Sequence, residues 1–102
     1  MGMGALEEKV IKSINKVFLE VFGSIATAAI RSHLMSEGLD LNDPSLDLER
    51  FHGFLLRFFG DGARALEEAI VDDLYRSLNL PKPEPMTLLE AVKRLKDADI
   101  AK

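Results

Sequence analysis

Four carboxylates fall within seven residues of one predicted helix, and paired carboxylates can do acid–base chemistry or bind a cation. They are Glu67, Glu68, Asp72 and Asp73. Arg64 precedes Glu68 by four residues and Arg76 follows Asp72 by four, which is the spacing of ion pairs along one helix face. Such pairing is typical of a solvated helix, and a charged contact surface is the alternative. We expect Glu68 and Asp72 to contribute to a partner surface.

The two histidines are candidates for metal binding or titration near neutral pH. His33 and Glu37 are four residues apart, so one helix face could offer two metal ligands, but no third ligand lies nearby in the sequence. His52 stands beside Gly53 and the aromatic residues of another predicted helix, where it would titrate near neutral pH if it lay in an interface. We expect no metal and no cofactor.

The sequence contains no recognisable catalytic motif. It has no cysteine, and none of its serines lies in a Gly-x-Ser-x-Gly turn. The run Phe59-Gly60-Asp61-Gly62 resembles a phosphate-binding turn, but it lacks the preceding strand and the Lys-Ser/Thr pair, and Asp61 would repel phosphate. We therefore predict that the protein is not an enzyme.

Composition limits the remaining classes. The 102 residues are 47% hydrophobic and 29% charged, with a net charge of -4, which fits one globular domain over residues 1–102. A negative charge and scattered basic residues argue against nucleic acid and anionic membrane as partners. No signal peptide and no run of about 20 apolar residues is evident, so the expected location is the cytoplasm.

Apolar residues at helical spacing predict an all-α bundle of about five helices. The predicted ranges are 5–22, 25–37, 47–59, 62–78 and 88–97. Gly23 and Gly60 each end one helix and precede the next, because glycine adopts the left-handed conformation that stops a helix. The second range is expected at the centre of the bundle. Its inward face is predicted to combine small residues with larger apolar ones: Ala26, Ala28, Ala29, Ile25, Ile30 and Leu34.

The connections carry their own signals. Asp43, Ser45 and Asp47 are alternative caps for the third helix, Asp61 is the expected cap of the fourth, and Thr87 with Glu90 forms a capping box for the fifth. Leu39 and Leu41 should fold back onto the core. Residues 81–86 form a proline-rich link, and residues 1–4 and 98–102 are expected to be a flexible start and a frayed tail.

The two glycine junctions sit in similar surroundings. Phe22-Gly23-Ser24 aligns with Phe59-Gly60-Asp61, and apolar positions upstream align as well. The chain is therefore either a duplicated helical hairpin followed by a last helix, or a coincidence of two amphipathic helices that end in glycine.

An aromatic stripe on the third predicted helix is the best candidate for a contact surface. Its members are Phe51, Phe54, Leu55 and Phe58. A five-helix monomer of this size has little surface with which to cover them, and surplus aromatic area marks dimer or partner surfaces. The stripe is either core or interface.

Several segments resemble the Nitrosopumilus output domain family, a group of small archaeal helical domains. The resemblance rests on Phe22-Gly23 before an alanine-rich helix with Ile30 and Leu34, on the run Phe59–Ala63, and on the run Ile70–Tyr75, and it spans about residues 10–95. It implies a compact helical module that acts downstream of sensor domains or stands alone. It implies no catalytic residues.

These observations favour a non-catalytic protein–protein interaction or signalling-output module that self-associates. A small-molecule or metal-responsive helical regulator is the alternative, with a ligand held between helices. A DNA-binding helix-turn-helix is disfavoured by the negative charge and by the lack of basic residues at a recognition helix.

Overall fold

The computed structural model describes residues 4–98, and this part of the chain is helical with no β-strand. Its four helices are α1 (Ala5–Ser36), α2 (Leu48–Phe59), α3 (Gly62–Ser77) and α4 (Leu88–Asp97). The all-α prediction is confirmed. The predicted count of five helices and the repeated hairpins are not confirmed. The first two predicted ranges are joined in α1, which is interrupted only by the non-helical backbone at Gly23.

Helix α1 is sharply bent at Gly23, the one residue inside it with non-helical dihedral angles, φ 79° and ψ 173°. The Thr27 hydroxyl donates to the carbonyl oxygen of Phe18 at 3.0 Å, and Arg31 donates to the side chain of Asn15. In a straight helix residues 15 and 31 would be about 24 Å apart. The chain therefore folds back at Gly23, and the sequence located this turn correctly.

Helix α3 is the centre of the packing, since it contacts α1, α2 and α4. The sequence placed residues 25–37 at the centre, and that prediction is wrong. Of the residues predicted to face inward, only Ile30 and Leu34 face the core. The others are exposed: Ile25, Ala26, Ala28 and Ala29. The buried apolar residues of all four helices form one cluster.

The loop between α1 and α2 folds onto the core, as predicted, with Leu39 and Leu41 buried. Asp47 is the residue that caps α2, because its carboxylate accepts from the backbone N–H groups of Glu49 at 3.1 Å and Arg50 at 3.2 Å. Asp43 instead accepts from the backbone and hydroxyl of Ser45, and these hydrogen bonds lower the pKa of Asp43.

The last two helices begin differently. Asp61 makes no side-chain capping bond to α3, contrary to the prediction. The capping box of α4 is confirmed: Thr87 accepts from the Glu90 N–H, and the Glu90 carboxylate accepts from the Thr87 N–H at 3.0 Å. The hydrogen bonds that the Glu90 carboxylate accepts from the backbone N–H and the hydroxyl of Thr87 lower the pKa of Glu90. Of the predicted flexible ends, residues 1–3 and 99–102 lie outside the described residues.

By length and composition α1 could cross a membrane, which the sequence analysis did not expect. Core helices of soluble proteins pass the same criteria, and α1 is no straight rod because it bends at Gly23. Only 33% of its most apolar window is buried. The helix therefore carries apolar surface that its own chain leaves exposed.

The backbone at Gly23 and Gly60 yields the first prediction. Both have positive φ, 79° and 57°, whereas Gly53 lies inside α2 with open space where a Cβ would stand. Gly23→Ala should lower the free energy of unfolding by roughly 1–3 kcal/mol, because L-residues avoid this conformation. The matched Gly53→Ala should raise it by up to about 1 kcal/mol, since alanine favours a helix interior. Urea unfolding followed by circular dichroism measures both, and equal effects would contradict the assigned turn.

Candidate functional site

The predicted aromatic surface is mostly core. Phe51, Phe54 and Leu55 are at most 2% exposed, whereas Phe58 is 46% exposed. The first three point into the cluster formed with α1 and α3, so they are not accessible to a partner in the folded chain. Phe58 alone of these four residues stays at the surface.

Phe58 belongs to a group of rings that joins the two Phe-Gly turns. Its ring lies 5.1 Å from those of Phe54 and Phe59 and 5.3 Å from the imidazole of His33, between centroids. Phe59 in turn stacks on Phe22 at 5.3 Å. The end of α2 is thereby attached to the bend of α1, and the exposed part of Phe58 adjoins the second half of α1.

The second half of α1 presents an uncharged face to solvent. At 100° per residue its buried positions Thr27, Ile30 and Leu34 share one side. The opposite side, here called the α1 face, consists of exposed residues: Ile25, Ala28, Ala29, Ser32, Met35 and Ser36. Ile25 is 88% exposed and Met35 56% exposed, and apolar side chains exposed to this degree on one face mark interaction surfaces.

Most of the large apolar side chains that the described residues expose lie on α1, whereas the sequence pattern pointed to the helix that is now α2, where only Leu56 and Phe58 are exposed. A usable signal was present, since residues 17–36 contain only two charged side chains, Glu20 and Arg31. Helical spacing alone could not show which side of such a segment meets the core, because both sides are apolar or small.

The four acidic residues of α3 do not form one solvated face. Glu67 and Asp73 are buried, at 3% and 7% exposure, and Glu68 and Asp72 are partly exposed. The predicted Arg64–Glu68 pair is present at 3.7 Å. The predicted pairing of Asp72 with Arg76 is absent: Asp72 lies 3.7 Å from Lys82 and Arg76 3.8 Å from Asp73. The two predicted partner residues on α3 are therefore neutralised within the chain.

Glu67 ties three helices together. One carboxylate oxygen contacts Nδ1 of His52 on α2, and the other accepts from the backbone N–H of Leu88, the first residue of α4, at 3.0 Å. A carboxylate at a helix N-terminus is favoured by the free N–H groups there. A buried carboxylate needs such partners, so Glu67 orients α4 on α2 and α3. We call this set of contacts the Glu67 bridge.

A groove of about 340 Å³ lies beside the Glu67 bridge, lined by Leu56, Arg64, Glu68, Met86 and other residues of α2–α4. Its one histidine and its buried carboxylate already bind each other. Residues 4–98 contain no group of three side chains able to hold a metal. The two suggested metal ligands, His33 and Glu37, have other partners. His33 packs against Phe58, and Glu37 binds Arg57 at 2.8 Å.

Neither a protein-family model, nor a curated protein, nor a solved structure matches this chain. The resemblance to the archaeal output domains therefore stays a prediction, and function has to be argued from the surfaces described above.

The Glu67 bridge yields the second prediction. Glu67→Ala should destabilise the fold by about 1–3 kcal/mol, because it leaves a partly buried histidine and a helix N–H without their partner. The matched control is Glu68→Ala at the neighbouring, partly exposed position, which should change the free energy of unfolding by no more than about 0.5 kcal/mol. Chemical denaturation of the two variants checks this. Similar stability losses would show that the bridge is unimportant.

Proposed function

We propose that this protein is a non-catalytic interaction module that self-associates through the α1 face. The supporting observation is the 88% exposure of Ile25 at the start of a helix face without charge. Single exposed apolar residues are common on protein surfaces. Here, however, the exposed surface of Ile25 continues through Ala28 and Ala29 to Met35 along the same helix.

A second copy of the chain suits this face better than a charged partner does. In a two-fold symmetric dimer each patch meets its own copy, so a charged patch would face like charges. The α1 face has no charge of either sign to repel its copy or to attract an unlike partner. Its small residues, Ala28, Ala29 and Ser32, would also let two helices pack at the shorter end of the usual 8–10 Å separation.

The expected association free energy is that of a weak dimer. Burying a large apolar side chain completely stabilises by about 1.5–3 kcal/mol. The exposed parts of Ile25, Met35 and Phe58 in two copies thus contribute roughly 6–11 kcal/mol. Association costs about 4–15 kcal/mol in lost motion, so the pair should form and dissociate with protein concentration.

The cytoplasm remains the proposed location, with α1 in a soluble fold. The fold-back at Gly23 and the bond from Arg31 to Asn15 support this, because a membrane-spanning α1 would have to straighten and lose that bond. A signalling-output role rests on the family resemblance alone. In such a role, an attached or separate sensor domain would control the self-association of this protein.

The third prediction tests the α1 face. In light scattering across a dilution series, the wild type should move from monomer toward dimer as its concentration rises to hundreds of micromolar. Ile25→Glu should stay monomeric at every concentration, because two carboxylates would be buried opposite each other. Its melting temperature at low concentration should stay close to that of the wild type, since the site is exposed.

Leu56→Glu is the matched control, because Leu56 is 50% exposed but lies on α2 beside the Glu67 bridge. This variant should dimerise as the wild type does. The proposal would be overturned if the wild type stayed monomeric or if it bound to neutral lipid vesicles. Equal loss of the dimer in both variants would show that the interface does not lie on the α1 face.

A further inference from the structure

Basic side chains converge on one groove of this acidic protein. The groove has a volume of about 230 Å³ and lies between the first half of α1 and the end of α3. Lys9, Lys12 and Lys16 line one side and Arg76 the other, together with Ser13, Asp73 and Ser77. Four cations and one carboxylate give a net charge of +3, in a chain whose total is -4.

The fold gathers these charges from two places in the sequence. Lys9, Lys12 and Lys16 share one side of α1, within an arc of roughly 60° at 100° per residue. Asp73 on α3 is buried and lies 3.0 Å from the Lys16 ammonium and 3.8 Å from the Arg76 guanidinium. One buried carboxylate thus positions a cation from each helix at the same groove.

Two of the cations lack a counter-charge within the described chain. Among residues 4–98, Lys9 and Lys12 form no ion pair. Glu8 stands four residues before Lys12 in the sequence but does not pair with it either. Like charges three and four residues apart destabilise a helix, so this arrangement costs free energy unless an anion offsets it.

We propose that this groove binds a small phosphate-bearing molecule. Lysine ammonium groups and an arginine guanidinium are the usual protein ligands of phosphate, and a phosphomonoester carries a charge of about -1.5 to -2 near neutral pH. The net +3 of the site suits one or two phosphoryl groups. A volume of about 230 Å³ accommodates the phosphoryl part of a ligand and leaves the remainder outside.

A nucleic acid strand fits these observations less well. A long polyanion would meet the rest of an acidic protein beyond the groove. A small anion responds mainly to nearby charges, and the charged side chains that line the groove are four basic ones and one acidic one. This site is separate from the α1 face and does not depend on the proposed dimer.

The fourth prediction uses inorganic pyrophosphate as the probe, titrated calorimetrically at low, constant ionic strength without divalent metal. The wild type should bind one equivalent, and pyrophosphate at ten times its dissociation constant should raise the melting temperature by roughly 5 °C or more. Lys12→Glu should weaken binding at least tenfold. Circular dichroism should show this variant folded, because Lys12 is exposed.

Lys93→Glu makes the same change of charge at an exposed position on α4 outside the groove. It should bind pyrophosphate within about twofold of the wild type. A second titration with inorganic phosphate separates recognition of a single phosphoryl group from recognition of a diphosphate, and binding of either supports the site. Binding of neither, or equal weakening in the Lys12 and Lys93 variants, overturns it.

Discussion

The turn at Gly23 determines which side of α1 meets the core and which side meets solvent. With φ 79° and ψ 173°, Gly23 occupies a backbone region that residues with a Cβ avoid. The two parts of α1 on either side of it fold back against each other. Thr27 then satisfies the carbonyl of Phe18, and Phe22 stacks on Phe59. The exposure of Ile25 follows from this turn, because a straight α1 would not bring residues 27, 30 and 34 against the same core as residues 14 and 18.

The sequence predicted the class of fold, both glycine turns and the capping box of α4, since each depends on local chemistry. It misplaced the centre of the bundle and the exposed apolar surface. Ala26, Ala28 and Ala29 are small enough for a tight helix contact or for solvent, so spacing alone does not decide between them. Phe51, Phe54 and Leu55 could likewise have faced a core or a partner. Which option holds depends on α3, whose contacts with three other helices are a tertiary property.

Charge is segregated in the folded chain in a way that composition conceals. The basic residues look scattered in the sequence, yet Arg76 is brought beside three lysines that are 60 or more positions away. The opposite occurs on α3, where four acidic residues that look like one surface are divided. Glu67 and Asp73 turn inward, and Glu68 and Asp72 bind cations of their own chain. A net charge of -4 therefore describes neither the groove lined by Lys9, Lys12, Lys16 and Arg76 nor the uncharged α1 face.

The buried polar residues define the arrangement of the helices more closely than the apolar ones can. Leucine and phenylalanine tolerate small shifts of one helix along another, because apolar contact is not directional. The Glu67 bridge has no such freedom: its two oxygens must meet His52 and the Leu88 N–H together. Asp73 similarly requires Lys16 and Arg76 on either side. An apolar substitute could match the stability of such ion pairs, but it would not fix α4 and α1 at one position along α3. The groove lined by Lys9, Lys12, Lys16 and Arg76 needs that fixed position, since it is built from residues on α1 together with residues on α3.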